Sequence, residues 1–190
     1  SLRLSGDLNK HALANALNEI IRRHGTLRTC FPAFGGKPLQ VVLPSLTVSL
    51  DDIDLSHLSG DILETELRRI ATEEARAPFD LANGPLIRVT LYRLAAGEYL
   101  LLVVIHHIIS DGWSQGVLTR EITSLYNSFA SNVPASLPEL PIQYTDFAIW
   151  QRQHLQNEEL ERQINYWRGR LGGDVAALEL PLDHPRPPTQ

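Results

Sequence analysis

Apolar residues recur along the chain at two spacings, and the spacing predicts which segments are helices and which are strands. Helical spacing, with apolar positions three or four residues apart, is found over residues 7–25, 61–76, 114–129, 144–156 and 158–171. In the first segment Asp7 is the expected N-cap, and Gly25 is the expected left-handed residue that stops the helix. The second helix is expected to bury Ile62, Leu63, Leu67, Ile70 and Ala71.

Short strands are predicted before and after the first helix. Residues 2–4 alternate as in a strand, with an arginine between two leucines. Residues 26–34 and 37–43 are predicted to form two further strands around the turn signal Gly35-Gly36.

Two longer strands follow, joined by a short hairpin at Ala96 and Gly97. Residues 85–94 alternate between apolar and polar side chains, so one face of this strand is expected to contact water. Residues 99–107 are apolar up to a pair of histidines, as in a central strand covered on both faces. Because helices and strands are interleaved without strict alternation, the sequence predicts an α/β (α+β) fold with a mixed β-sheet covered by helices.

Composition excludes several classes of protein. The 190 residues carry a formal net charge of −5, so the chain lacks the basic surface expected of a nucleic-acid-binding protein. Cys30 is the only cysteine, which excludes an intrachain disulfide and a cysteine-based metal cluster. The longest apolar run, residues 100–105, is too short to cross a bilayer. Since no signal-peptide pattern is present, the chain is expected to be cytoplasmic and to have no membrane partner.

The two ends of the chain indicate a piece of a longer polypeptide. The sequence contains no methionine, and its first residues already follow the pattern of a strand. Residues 181–190 hold four prolines, as expected of an extended linker. The predicted organisation is one domain over residues 1–180 and a proline-rich linker over residues 181–190.

The segment "VIHHIISDGWS", residues 104–114, carries the candidate chemistry. Neighbouring side chains of a strand point to opposite faces, so His106 and His107 cannot both reach one small site. We therefore expect no metal there. One histidine can face a reaction centre while the other supports the structure, although two structural histidines also agree with the spacing. Asp111, if it is buried, needs a cation, a helix-capping role or water.

Three motifs resemble those of the condensation domains of nonribosomal peptide synthetases. "HHIISDGW" looks like their HHxxxDG signature, "RRHGTLRTCF" (residues 22–31) is similar to RHExLRTxF, and "YTDFAIW" (residues 144–150) is similar to YxDFAxW. One position departs from the pattern, because Gly25 stands where the family commonly has glutamate. The histidine pair sets the chain apart from heterocyclisation domains, and the order Trp113-Ser114 sets it apart from epimerisation domains.

The resemblance implies one lobe of a two-lobed fold similar to that of chloramphenicol acetyltransferase. The family's domain is about twice as long as this chain. Residues 1–180 therefore correspond to the N-terminal lobe without its opening segment. Residues 181–190 are expected to lead towards an absent C-terminal lobe.

The resemblance also implies a reaction. The parent enzyme forms an amide bond when the amine of a downstream aminoacyl thioester attacks an upstream acyl or peptidyl thioester. His107 is the implied catalytic residue, facing a tunnel between the lobes, while His106 and Asp111 support the motif and Gly112 allows a close turn into the third helix. One lobe cannot form a tunnel between two, so we expect the 190-residue chain to be inactive by itself.

Asp111 resembles the family's structural aspartate, which pairs with an arginine. The candidates are Arg28 and Arg23, and Arg28 is preferred. Ser114 is expected to be a helix N-cap rather than a nucleophile. Four aromatic residues are expected in the core: Trp113, Tyr144, Phe147 and Trp150.

The implied partners are the upstream and downstream peptidyl carrier domains, the adenylation domain of the same synthetase and the missing C-terminal lobe. No cofactor is expected to bind directly, because the substrates arrive on the phosphopantetheine arms of the carriers. Three alternatives are a coenzyme A-dependent acyltransferase, an epimerisation domain, and a non-catalytic lobe that docks carriers.

Overall fold

The computed structural model of the chain describes residues 1–135, 137–173, 181 and 183. Its helices are α1 (Lys10–Arg23), α2 (Gly60–Arg76), α3 (Gly112–Ser131), α4 (Tyr144–His154) and α5 (Asn157–Leu171). Its strands are β1 (Leu2–Ser5), β2 (Thr29–Cys30), β3 (Ala33–Phe34), β4 (Lys37–Pro38), β5 (Val41–Val42), β6 (Asp51–Asp54), β7 (Ile87–Ala95) and β8 (Glu98–Ile105). All five predicted helices are present.

The chain divides into two compact units, Ser1–Asp146 and Phe147–Gln190. The predicted linker lies outside the described residues except at positions 181 and 183.

A four-stranded mixed sheet, with strand order β1-β8-β7-β6, is the framework of the first unit. Strand β8 is antiparallel to both β1 and β7, whereas β6 runs parallel to β7. The hairpin between β7 and β8 turns at Ala96 and Gly97, where Gly97 has a φ of +70° that favours glycine. The mixed sheet, the hairpin and the central position of β8 are therefore confirmed.

Helices α1 and α3 cover one face of this sheet. Partly buried Ile122 and Tyr126 of α3 pack against a cluster of buried side chains from α1, β7 and β8. The cluster contains Leu13, Leu17, Ile87, Val89, Leu91 and Leu101. Its apolar area is the main source of stability on this side of the sheet.

The opposite face of β7, predicted to contact water, is covered by α2 instead. Tyr92 and Leu94 are 3% and 4% exposed and pack with Leu67 of α2. The polar neighbour Arg88 also lies against this helix, because its guanidinium pairs with Glu74 at 3.2 Å. The alternation of apolar and polar residues therefore predicted this face wrongly. Tyrosine and arginine can bury their apolar parts while their polar ends reach a partner.

The segment between α1 and β6 forms two short ladders rather than two long strands. A 3-10 turn, Gly25–Arg28, follows α1, and two-residue ladders then join β2 to β5 and β3 to β4. Pro32 separates β2 from β3, and a proline has no N–H with which to continue a ladder. The predicted turn is confirmed, since Gly35 and Gly36 have φ values of +57° and +76°.

Helix α1 begins later than predicted. Its N-cap is Asn9 rather than Asp7, because the Asn9 side chain accepts a hydrogen bond from the N–H of Ala12 at 3.0 Å. This bond satisfies one of the free donors in the first helical turn.

The second unit contains α5 and most of α4, and neither helix has a buried residue. Within the described ranges, every helix is too short or too polar to cross a membrane.

Two apolar residues that the sequence places on inward faces differ sharply in their burial. Leu91 is 0% exposed, whereas Ile62 is 68% exposed, contrary to the prediction for α2. We expect Leu91→Ala to lower the free energy of unfolding by about 2–5 kcal/mol, because it removes buried methyl groups and leaves a cavity. The matched change Ile62→Ala is expected to cost less than about 0.5 kcal/mol. Urea unfolding of both variants tests the packing, and similar losses from the two would contradict it.

Candidate active site

The two histidines lie in a tight turn immediately after β8. The N–H of His106 donates to the carbonyl of Leu86 at 3.0 Å, and the N–H of Ile109 donates to the carbonyl of His106 at 3.1 Å. Ile109 is 8% exposed and belongs to a core cluster with residues of α1 and α3. The turn is therefore fixed at both ends, and the residues between these anchors project outwards.

His106 is half-buried and has contacts that hold the turn together. Its Nδ1 lies 3.0 Å from the backbone nitrogen of Ile108, whose N–H it can accept as a neutral ring. Its ring also meets the edge of Phe79, with 5.8 Å between the ring centres. Both contacts are of the kind that a structural histidine makes.

His107 is exposed, in contrast to its neighbour. Among the described residues, no hydrogen bond to its ring is found, so the ring is open to a substrate. Its charge lies close enough to Asp111 to contribute to the lowered pKa of that carboxyl group. One ring is therefore held by the fold and the other is presented outwards. Both lie in the turn beyond β8, which ends at Ile105, and not in the strand as predicted, so strand alternation is not the cause of this division.

Asp111 is the N-cap of α3. Its Oδ1 accepts hydrogen bonds from the N–H of Ser114 at 2.8 Å and from the Ser114 hydroxyl at 2.6 Å. These bonds to Ser114 are the main reason that the pKa of Asp111 lies below its ordinary value. The helix therefore starts at Gly112, and the predicted N-cap at Ser114 is replaced by Asp111.

Arg28 does not contact Asp111, contrary to the prediction. Its guanidinium donates instead to main-chain carbonyls, with Nε 3.0 Å from Ile21 O and Nη2 3.3 Å from Arg22 O. A further bond from Nη1 reaches Leu43 O. The carbonyls at the end of a helix have no partner within it, so a nearby arginine is drawn to them.

Arg23, the second predicted partner, pairs with Glu121 of α3. Arg23 Nε lies 3.0 Å from a Glu121 oxygen, and His24 Nε2 lies 2.8 Å from the same atom. Arg23 also donates to the carbonyl of Pro138. The motif RRHGTLRTCF is therefore bound to α3 by a largely buried ionic cluster, since Glu121 is 7% exposed.

Burial raises the pKa of the Glu121 carboxyl group and is the largest single influence on it. The hydrogen bonds and charges of His24 and Arg23 together outweigh burial, so the pKa lies below its ordinary value. Glu121 is not among the site residues predicted from the sequence. The available signal was a carboxylate three residues after Leu118 and four before Leu125, on the apolar face of the helix.

Gly25 does not stop α1 in a left-handed conformation. The helix ends at Arg23, its C-cap His24 has a φ of −100°, and Gly25 has no positive φ. Its N–H donates to Gln143 Oε1 at 3.0 Å, and Gln143 Nε2 donates to Arg23 O at 3.0 Å. A Cβ at position 25 would lie 3.3 Å from that Oε1, so any larger residue there requires Gln143 to shift.

Gly112 also differs from its predicted role. Its φ is not left-handed, and a Cβ at this position would meet no atom within 4 Å. Neither the turn nor the described neighbours therefore require glycine at the start of α3. The four aromatic residues expected in the core are exposed as well: Trp113 85%, Tyr144 54%, Phe147 38% and Trp150 54%.

The Glu121 cluster gives a testable dependence of stability on pH. Glu121→Gln leaves buried positive charge without its carboxylate, so we expect a loss of about 3 kcal/mol in the free energy of unfolding at pH 7. Because folding lowers the pKa of Glu121, its stabilisation is complete above the ordinary pKa of about 4.3 and is lost as the pH falls through the folded value. Urea unfolding between pH 7 and pH 3 should show the variant and the wild type converging.

The matched control is Glu19→Gln, which removes the carboxylate of an exposed pair with Arg22. Such surface pairs contribute about 0–1 kcal/mol. If Glu121→Gln cost no more than this control at pH 7, the cluster would not stabilise the fold as argued.

Comparison with known proteins agrees with the motifs. The family model for the condensation domain matches residues 1–190. The chain is 43% identical over 190 residues to a linear gramicidin synthase protein of Brevibacillus parabrevis, covering 100% of this chain and 4% of that protein. It is 42% identical over 187 residues to phosphinothricin tripeptide synthetase PhsC of Streptomyces viridochromogenes, covering 98% of this chain and 17% of that protein.

A similar solved structure is the X-domain from teicoplanin biosynthesis, with a TM-score of 0.79 and 30% identity. The match covers 97% of this chain and 40% of that chain, so the chain spans less than half of this solved fold and a small part of the synthetases. The mixed sheet with its covering helices is thus the fold of the chloramphenicol acetyltransferase type that condensation domains share. The chain belongs to the condensation domain family of nonribosomal peptide synthetases.

Proposed function

We propose that the parent synthetase uses this domain to form an amide bond between two carrier-bound acyl groups. The amine of the downstream aminoacyl thioester attacks the carbonyl of the upstream thioester. A C–N bond forms, the C–S bond breaks, and the amine proton ends on the leaving thiol. The observation that carries this proposal is the fixed turn after β8, from which His107 projects while His106 is held by the fold.

The role of His107 in this reaction is to orient the amine and accept its proton as the tetrahedral intermediate forms. An α-amine has a pKa of about 7.7–8.0, so roughly a tenth is already neutral at pH 7. Deprotonation of the free amine is therefore worth only about 1.4 kcal/mol. Positioning and proton transfer in the transition state offer a larger gain.

The N-terminal end of α3 also supports this reaction. The open space beside Gly112 leaves room for a substrate carbonyl near its N–H. The N-terminus of a helix favours the negative charge that develops on that oxygen. Asp111 contributes by starting the helix at this position.

The partners that this proposal requires are an upstream and a downstream peptidyl carrier domain, which deliver substrates on phosphopantetheine arms. An adenylation domain of the same synthetase loads the downstream arm. The remainder of the condensation domain, outside residues 1–190, supplies the second wall of the substrate tunnel. The family match favours this function over a coenzyme A-dependent acyltransferase.

We expect His107→Ala to lower the single-turnover rate of dipeptide formation by about 10²–10⁴-fold in the full parent domain, with both carriers loaded. The loss should persist at pH 9, where most of the amine is neutral, because orientation does not depend on removing a proton from the free amine. A loss that disappears at pH 9 would restrict His107 to deprotonating the amine.

Two controls accompany this measurement. His57→Ala removes another exposed histidine, in the segment between β6 and α2, and should leave the rate unchanged. The isolated 190-residue chain should give no product. An unchanged rate in His107→Ala, with the fold intact, would remove the basis of the proposal.

The helix-capping role of Asp111 can be tested with one variant that keeps the side-chain shape and another that removes it. Asparagine and aspartate are equally good N-caps, whereas alanine is poor. We expect Asp111→Asn to keep most of the dipeptide-forming rate and Asp111→Ala to lose both rate and thermal stability. A folded but inactive Asp111→Asn would instead show that the charge is needed, as in an ion pair with an arginine elsewhere in the parent domain.

A further inference from the structure

One face of α5 carries four large apolar side chains that remain exposed. Their exposed fractions are Leu160 41%, Ile164 37%, Trp167 57% and Leu171 63%. The intervals between them are four, three and four residues, so at about 100° per residue they lie within roughly 60° of one another around the helix. We call these four residues the α5 stripe.

Apart from Tyr166 and Gly169, the rest of α5 is polar. Glu159 pairs with Arg162 at 2.7 Å, and Gln163 donates to Glu159 at 2.6 Å. A shallow groove of about 510 Å³ runs along the stripe, with Gln163 and Arg168 among its polar lining residues. A helix with one apolar face and one polar face normally buries the apolar face against a partner.

Within the second unit, the described residues do not bury the stripe. No residue of α5 is buried, although large apolar side chains elsewhere in the chain form well-buried clusters. A contiguous apolar patch of this kind marks an interaction surface.

The length of the fold indicates what covers the stripe. This chain covers 40% of the similar X-domain structure, so about three fifths of that fold lies outside the matched region. Four side chains on one helix are too few for a stable interface between separate proteins, which buries about 800 Å² on each partner. A segment of the same polypeptide needs much less area, because it does not lose the freedom of a separate molecule on binding.

We propose that the α5 stripe packs against the part of the same condensation domain that lies outside residues 1–190. This inference rests on membership of the condensation family and not on the proposed reaction, so the two can fail separately. The stripe then joins the second unit of this chain to the remainder of the domain, and α5 becomes an internal helix of the complete protein.

Photo-crosslinking in the full parent domain tests this proposal. Trp167→p-benzoylphenylalanine replaces one aromatic side chain of the stripe with a photoreactive one, and Asn165→p-benzoylphenylalanine places the same group about 160° around the helix. We expect the probe at 167, and not the one at 165, to crosslink to a peptide of the same polypeptide outside residues 1–190. Mass spectrometry of the digested product identifies that peptide.

Other crosslinks would overturn the proposal: to residues 1–190 of the chain, to a second copy, or to an added carrier domain. Equal yields from positions 165 and 167 would overturn it as well. Dipeptide formation by the same wild-type preparation is measured separately, so that loss of the proposed reaction is not confused with loss of the contact.

A second measurement does not depend on the probe. Amide hydrogen exchange over α5 should be at least tenfold slower in the parent domain than in the 190-residue chain. Ile164→Asp should abolish this protection, whereas Asn165→Asp on the polar side should retain it. Equal exchange in the parent domain and the shorter chain would show that nothing outside residues 1–190 covers the stripe.

Discussion

The interaction on which the candidate site depends is the buried contact of Glu121 with Arg23 and His24. A carboxylate in this position is costly to bury unless its charge and its hydrogen-bonding oxygens are satisfied. Arg23 Nε at 3.0 Å and His24 Nε2 at 2.8 Å meet that requirement, and both residues lie at the C-terminal end of α1. The contact therefore adds a specific polar anchor to the apolar packing of α3 against α1.

This constraint reaches the exposed histidine through rigid elements. Glu121 is nine residues into a helix whose first residue is Gly112, a distance of about 14 Å along the axis. Asp111 starts that helix, and Ile109 binds the preceding turn to the core shared by α1 and α3. His107 is thus held between the C-terminal end of the central strand β8 and helix α3, which Glu121 anchors to the end of α1.

The sequence predicted the elements better than their side-chain partners. The helical and strand periods were strong, so all five helices, the β7–β8 hairpin and the mixed sheet could be predicted. The partner of Arg28 could not, because a long flexible side chain reaches any acceptor nearby, and the free carbonyls at the end of α1 lie only six and seven residues before it. Spacing also cannot show that Glu121, on an apolar face, contacts two basic side chains from the end of another helix.

The errors over the aromatic residues have a different cause. Trp113 and Trp150 were predicted to be buried because aromatic side chains carry large apolar areas, yet they are 85% and 54% exposed. Composition indicates that a side chain is apolar but not which part of a protein covers it.

Some groups of the candidate site have all their partners within this chain, and others do not. The turn after β8, the cap at Asp111 and the ionic cluster at Glu121 satisfy their hydrogen bonds and charges within residues 1–146. The ring of His107 has no hydrogen-bond partner among the described residues, and a Cβ at Gly112 would meet none of them within 4 Å. The proposed reaction between two delivered substrates needs this division, because rigid groups must surround a space that only the substrates fill.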